Sequence, residues 1–238
     1  NERLTKRSRD KITDKMNAQT GIEFNRENAY AIIGYVIRHC NDYFEDQFVD
    51  TYEQMISLAN VENYKSNKSV FTEKEFRYNS WYETREKLAK CSLKSGNRIV
   101  LENCGGLSNS TWSYDSGLEQ SAADFLGDLM TIANNLNFKP NEAHPTRGQW
   151  DTSAAQIFTC NYKGEDVLLF KVRCYKNGNT HIFFNPDFVH AMNCEHGRIN
   201  GWLHDHEDAS SELNIPKETA EKAFNSNFKL GEGQLLLK

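Results

Sequence analysis

"FKVRCYKNGNTHIFF", residues 170–184, is the stretch on which the fold turns. Two β-rich runs flank Asn177-Gly178, a strong two-residue hairpin signal, because both central residues of such a turn need positive φ. With that pair as the loop, Lys176 pairs with Asn179, Tyr175 with Thr180, Cys174 with His181, Arg173 with Ile182 and Val172 with Phe183. Paired residues share a face, and faces alternate along each strand. One face is then Phe170, Val172, Cys174, His181 and Phe183, the expected core side. The other is Lys171, Arg173, Tyr175, Thr180, Ile182 and Phe184, which mixes cations, a phenol ring and apolar groups. A slip of one residue, with Lys176-Asn177-Gly178 as a three-residue loop, would set Arg173 opposite His181 instead.

Around this hairpin the pattern predicts an antiparallel meander of three strands: Gln156 to Tyr162, Val167 to Tyr175 and Asn179 to Asn185, with Lys163-Gly164 as the other turn. Asn185-Pro186-Asp187 then opens a helix, with Asn185 as N-cap, Pro186 in the first turn and Asp187 complementing the dipole. Its stripe is Phe188, Met192, Ile199 and Leu203 or Trp202. A last helix, from about Pro216 to Asn225, buries Ala220, Ala223 and Phe224.

Upstream, Leu118, Ala122, Phe125, Leu129, Ile132 and Leu136 step by fours and threes along one helical face, and Lys139-Pro140 ends the run. "NEAHPTRG" follows as a linker. Arg98 to Leu101 predicts a short strand closed by Gly105-Gly106. Thr72-x-x-Glu75 is a capping box for a helix carrying Phe76, Trp81, Arg85 and Leu88. The stripe from Ala29 to Ala59 predicts a long helix opening near Asn25, with a break near residues 41–46. Residues 1–20 carry Arg3, Lys6, Arg7, Arg9, Lys11 and Lys15, and read as a flexible, solvated basic arm or as an arm for phosphates. The expected organisation is this arm, a helical half over 21–140, and the meander with its helices over 141–238, the last two possibly forming one composite domain. The fold class is α+β.

With 38% apolar and 12% aromatic residues over 238 positions, the chain has material for a proper core. A net charge of −5 argues against a general polyanion binder, so any nucleic-acid contact is a local patch on an acidic body. The cysteines Cys40, Cys91, Cys104, Cys160, Cys174 and Cys194 are evenly spread with no CxxC pair. That suits reduced cytosolic thiols and a cytoplasmic location better than a disulfide framework or zinc ribbon. No run approaches about 18 consecutive apolar residues, so no membrane helix is expected. The chain opens at Asn1 and is charged from the outset, as a piece of a longer reading frame would be.

Several side chains are candidates for chemistry. Lys171, Arg173, Tyr175 and Lys176 would contact phosphates and stack a base, or would simply form a solvated sheet face. Cys174 beside His181 would make a nucleophile and its base, or a buried thiol next to a core histidine. His190 and Cys194, four apart on a helix, point the same way, but no second paired motif completes a zinc site, and no metal or cofactor is expected. "HDHEDASSE", residues 204–212, fits a solvated acidic helix face better than an ion cluster. No phosphate-cradling glycine loop and no GxSxG, HExxH or SxxK element is present.

The run "FKVRCYKNGNTHIFFNPDFVHAMN" followed by "GRINGWL" resembles an uncharacterised domain family carried by prophages and plasmids of bacteria, with Lys176-Asn177-Gly178-Asn179-Thr180-His181 as its most specific element. Members of that family often adjoin adenine-specific DNA methyltransferase or helicase modules. The resemblance therefore implies a setting of DNA modification, restriction or counter-defence, with DNA, a methyltransferase or a host defence protein as partner. It implies no catalytic residues. The expected function is a DNA-associated accessory domain, non-enzymatic; the alternatives are a small hydrolase or nuclease using His181, and a protein-binding inhibitor of a host factor.

Overall fold

The computed structural model describes residues 3–18, 40–59, 67, 92–96, 98–108, 116–150 and 152–226. Its elements are α1 (Lys6–Ala18), α2 (Cys40–Leu58), β1 (Arg98–Leu101), α3 (Gln120–Asn135), β2 (Lys139–Pro140), β3 (Gln156–Tyr162), β4 (Glu165–Cys174), β5 (Thr180–Phe184), α4 (Pro186–Ile199), α5 (His206–Glu212) and α6 (Lys217–Phe224). The class is mixed helix and strand, as expected. The predicted helix at Thr72 and the start of the long helix near Asn25 lie outside the described residues.

The three expected strands form the centre of a larger antiparallel sheet, in the order β1-β5-β4-β3-β2. β1, from the half expected to be helical, lies along β5, and the short β2 lies along β3. Lys139-Pro140 therefore does more than stop α3. Pro140 has no N–H to give a sheet, which suits it to an edge strand. One apolar cluster joins both sides of the expected 140/141 boundary, from Phe48 and Tyr52 of α2 through Leu126 and Met130 of α3 to Phe170, Ile182 and Phe188. Within it the rings of Phe158, Phe170, Phe184, Phe188, Phe138 and Tyr162 make successive contacts, with centroids 4.0–6.1 Å apart. A smaller cluster of Cys194, Leu203, Ala209, Ala220 and Ala223 docks α5 and α6 on α4.

Two expectations about the N-terminal part are corrected. α2 runs unbroken through residues 41–46, where Glu45 accepts from Arg198 of α4 at 3.1 Å. Residues 6–18 form a helix instead of a flexible arm. Thr5 caps it, its Oγ1 accepting from Ser8 N at 3.2 Å, while Asp128 of α3 accepts from Lys6 N at 2.7 Å. Lys6 Nζ meets Asp124 of α3, and Arg7 and Lys11 meet Asp50 of α2. The basic side chains answer carboxylates of neighbouring helices, so Coulomb attraction and capping hold a segment that has little apolar stripe of its own.

The register of the decisive hairpin is also corrected. Arg173 pairs with His181, Cys174 with Thr180, Val172 with Ile182 and Lys171 with Phe183. This is the three-residue loop. Tyr175 N donates to Asn179 O at 2.9 Å, Gly178 N to Tyr175 O at 3.1 Å, and Asn179 N to the Asn177 side chain at 3.1 Å. Only Gly178 of the Asn-Gly pair has positive φ, at 84°, as a type I turn followed by a left-handed residue requires. The paired positive-φ turn sits instead at Lys163-Gly164, with φ of 55° and 90°. A neighbouring segment explains the choice. Gly106, at φ 56°, lies so close to the hairpin that a Cβ there would meet Tyr175 O and the Gly178 backbone, and Leu107 N donates to the same Tyr175 O at 3.0 Å.

Candidate nucleic-acid interface

The corrected register re-sorts the two faces. Phe170, Val172, Cys174, Thr180, Ile182 and Phe184 are all buried and form the inner face against the helices. Lys171, Arg173, Tyr175, His181 and Phe183 share the outer face. Arg98 of β1 lies beside Phe183, and Ile157 of β3 beside Lys171. One cross-strand row is therefore Ile157, Lys171, Phe183, Arg98. The next carries Arg173, His181 and Val100.

Lys171, Arg173, Lys176 and Arg98 are exposed, and no carboxylate among the described residues pairs with any of them. Apolar groups stand between these cations: Ile157 is 58% and Phe183 36% exposed, the two exposed large apolar side chains among the described residues. The half-buried Tyr175 ring lies against His181, with centroids 4.4 Å apart and planes tilted by 47°. Burial, then the charges of Arg98 and Arg173, push His181 down to about 4, so its imidazole is neutral at pH 7. Its Nδ1 has no hydrogen-bond partner among the described residues.

The face is exposed along the row from Ile157 to Arg98, whereas Val100, in the row of Arg173 and His181, is fully buried. Two cavities, of about 600 and 690 Å³, lie elsewhere, the first between Tyr162 and α6, the second between Arg9 and the segment after β2. The acidic groups of the sheet sit towards its other end. There Glu142 accepts from Thr159 N and Oγ1 at 2.8 and 2.7 Å, and Asp166 accepts from Asn141 at 3.2 Å.

Of the predicted site residues, Lys171, Arg173, Tyr175 and Lys176 stand together at one end of the sheet. Cys174 and His181 do not. They lie on opposite faces, because the one-residue slip paired Cys174 with Thr180. Cys174 is 1% exposed, contacts Thr180 Oγ1 at 3.8 Å, and is pushed up to about 11 by desolvation. A buried neutral thiol and an imidazole on the far side of the sheet make no nucleophile–base pair. Cys104, Cys160 and Cys194 are likewise buried and free, each held well above the ordinary thiol value by burial. Among the described residues, His190 and Cys194 join no group of three or more potential metal ligands. His204 meets Asp208 at 3.1 Å on an exposed helix start, as a solvated acidic face would.

Sequence reasoning missed Arg98, His181 and Phe183 as members of the outer face. The clue was available, since the three-residue register turns both β5 residues outward.

The chain matches, over residues 1–202, the family described as "Domain of unknown function (DUF4942)". It belongs to that family. The matched span takes in the whole sheet and α1 to α4, while α5 and α6 follow it. No curated protein and no solved structure matches the chain. No helix among the described residues is long and apolar enough to cross a membrane.

Proposed function

We propose that the chain is a DNA-associated accessory domain of a mobile genetic element, which binds through the outer sheet face and carries out no reaction itself. The observation that supports this most directly is the pair Lys171 and Arg173, exposed on the outer face with no carboxylate partner among the described residues. Cations without a carboxylate partner among the described residues, on a body of net charge −5, favour a local phosphate contact over a general basic surface. Tyr175 and Lys176 extend the site towards the hairpin tip. The setting in DNA modification or counter-defence rests on the resemblance of the 176–181 element, and a methyltransferase or host defence protein is the partner this setting implies. Binding without chemistry accords with a buried, neutral Cys174 and with a His181 flanked by two arginines.

The test is a Lys171→Ala, Arg173→Ala double variant in a DNA-binding titration across salt concentrations. The expected result is weaker binding, with the slope of log K against log salt reduced by about 1.8 for two lost phosphate contacts. Equal retention of DNA by the variant at low salt overturns the proposal.

A further inference from the structure

We infer that the outer face takes nucleic acid as a single strand, with bases laid on Phe183 and on the Tyr175–His181 ring pair while Arg98, Lys171 and Arg173 hold the phosphates. This rests on the proposed function and specifies its ligand.

The argument starts from where the apolar side chains stand. Ile157 and Phe183 belong to one cross-strand row, on either side of Lys171, with Arg98 at its end. A lone exposed apolar side chain needs no explanation. Two in one row, between cations without carboxylate partners among the described residues, offer apolar and ionic contact over the same few ångströms. Phe183 and His181 are two residues apart on β5, hence roughly 7 Å along the strand on the same face. The Tyr175 ring, 4.4 Å from His181, widens the second stacking position. Because His181 is neutral, it adds a ring rather than a charge to that position.

A duplex has no use for such rings. Its bases are stacked on one another, and a protein meets their edges in the grooves with a helix or a narrow ribbon. A sheet face enters a groove only where the duplex is bent and its base steps pried apart, and on an undeformed duplex only its cations would find partners. An unpaired strand offers both π-faces and phosphates, and can run across neighbouring strands of a sheet. The end of the sheet bearing Glu142 and Asp166 repels phosphates, which confines the strand to the side of β1, β5 and the hairpin tip.

The experiment is fluorescence anisotropy of the full chain with labelled dT15, with rU15, and with a mixed-sequence 15-base-pair duplex. The proteins are wild type, Phe183→Ala and Lys171→Ala, Arg173→Ala, each checked for an unchanged circular dichroism spectrum. Wild type is expected to bind a single strand at least about tenfold more tightly than the duplex. Phe183→Ala is expected to weaken single-strand binding about tenfold while leaving the salt slope unchanged. If Phe183→Ala fails to fold, Phe183→Tyr takes its place and is expected to retain binding, since it keeps the ring; a tenfold loss there overturns the inference. A duplex bound as tightly as dT15, or a Phe183→Ala protein indistinguishable from wild type, overturns the inference and leaves the proposed function standing. Tighter binding of rU15 than dT15 supports the single-strand inference and overturns the DNA assignment. No binding of any of the three overturns both.

Discussion

Asn193 and Asn67 show how much of this fold hangs on single buried amides. Asn193 of α4, 3% exposed, accepts from Leu93 N at 2.9 Å and from Tyr52 Oη at 3.0 Å, and donates to Leu93 O at 2.8 Å. Asn67, fully buried, accepts from Val100 N and donates to Val100 O, each at 2.7 Å. Asn67 thus occupies both backbone groups of Val100, and Asn193 both those of Leu93. Asn193→Ala removes the buried acceptor of Leu93 N and Tyr52 Oη and the donor to Leu93 O. It should cost about 3 kcal/mol, a fall in melting temperature of roughly 6–12 °C, measured by urea and thermal unfolding; a loss under 1 °C would show that the three bonds are replaced. Neither asparagine announced itself in the sequence. An amide reads as loop-like or neutral until its partner, 33 or 100 positions away, is known. Asn185 was legible because its partners are local. Its Oδ1 accepts from Asp187 N at 2.7 Å, as the Asn-Pro-Asp pattern requires, although its Nδ2 bond to Leu168 O at 2.6 Å was not foreseeable.

At the scale of elements, the β4–β5 hairpin shows what local signals can decide. Its existence and its strands followed from alternation and from Asn-Gly. Its register did not, because both loop lengths satisfy the turn chemistry, and the contact that separates them comes from residues 106 and 107, about 70 positions upstream. Leu169 is a second irregularity. Phe158 pairs with Phe170 but Thr159 with Leu168, so Leu169 is left over as a bulge, and Asn185 N donates to its carbonyl at 2.9 Å. Both Leu169 and Phe170 are fully buried, a break in alternation that looks in sequence like any apolar run. The Gly106 contact is testable. Gly106→Ala should lose at least about 2 kcal/mol, from positive φ plus collision with the hairpin backbone. Gly96→Ala, with φ 82° and no atom within 4 Å, should lose only about 1 kcal/mol. Equal losses in chemical denaturation would mean that Gly106 supplies conformation alone.

Across the whole molecule, charge decides how the helical layer is assembled. The basic N-terminus looked detached because composition cannot tell a cation facing water from one facing Asp50 or Asp124 across the fold. Asp128, 8% exposed under α1, marks the cost of that attachment. Desolvation pushes its carboxyl up to about 6, against the lowering effect of Lys6 N and the Arg9 charge. The folded state thus holds this proton more tightly than the unfolded chain, and the stabilisation is full below about pH 4 and lost as pH rises through about 6. Asp128→Asn keeps an acceptor for Lys6 N without the buried charge. It should match wild type near pH 4 and exceed it by about 2 kcal/mol at pH 7, measured by unfolding across pH; a constant difference would remove the assignment. His181 acts in the opposite sense. Its value, lowered to about 4, gives a contribution full above about pH 6.5 and lost as pH falls through about 4. With Asp128 replaced, acid destabilisation between these limits should steepen.

The two outermost strands of the sheet have a further consequence, for self-association. At β1 the outward N–H and C=O of Val100 are both occupied by the Asn67 amide, and at β2 the edge is two residues long and half proline. Among the described residues, both rims thus offer a second copy little ladder on which to extend the sheet, whereas Lys171, Phe183 and Ile157 stay exposed on the outer face. Rims blunted in this way reduce the hazard of edge-to-edge pairing that exposed phenylalanine and isoleucine would otherwise bring.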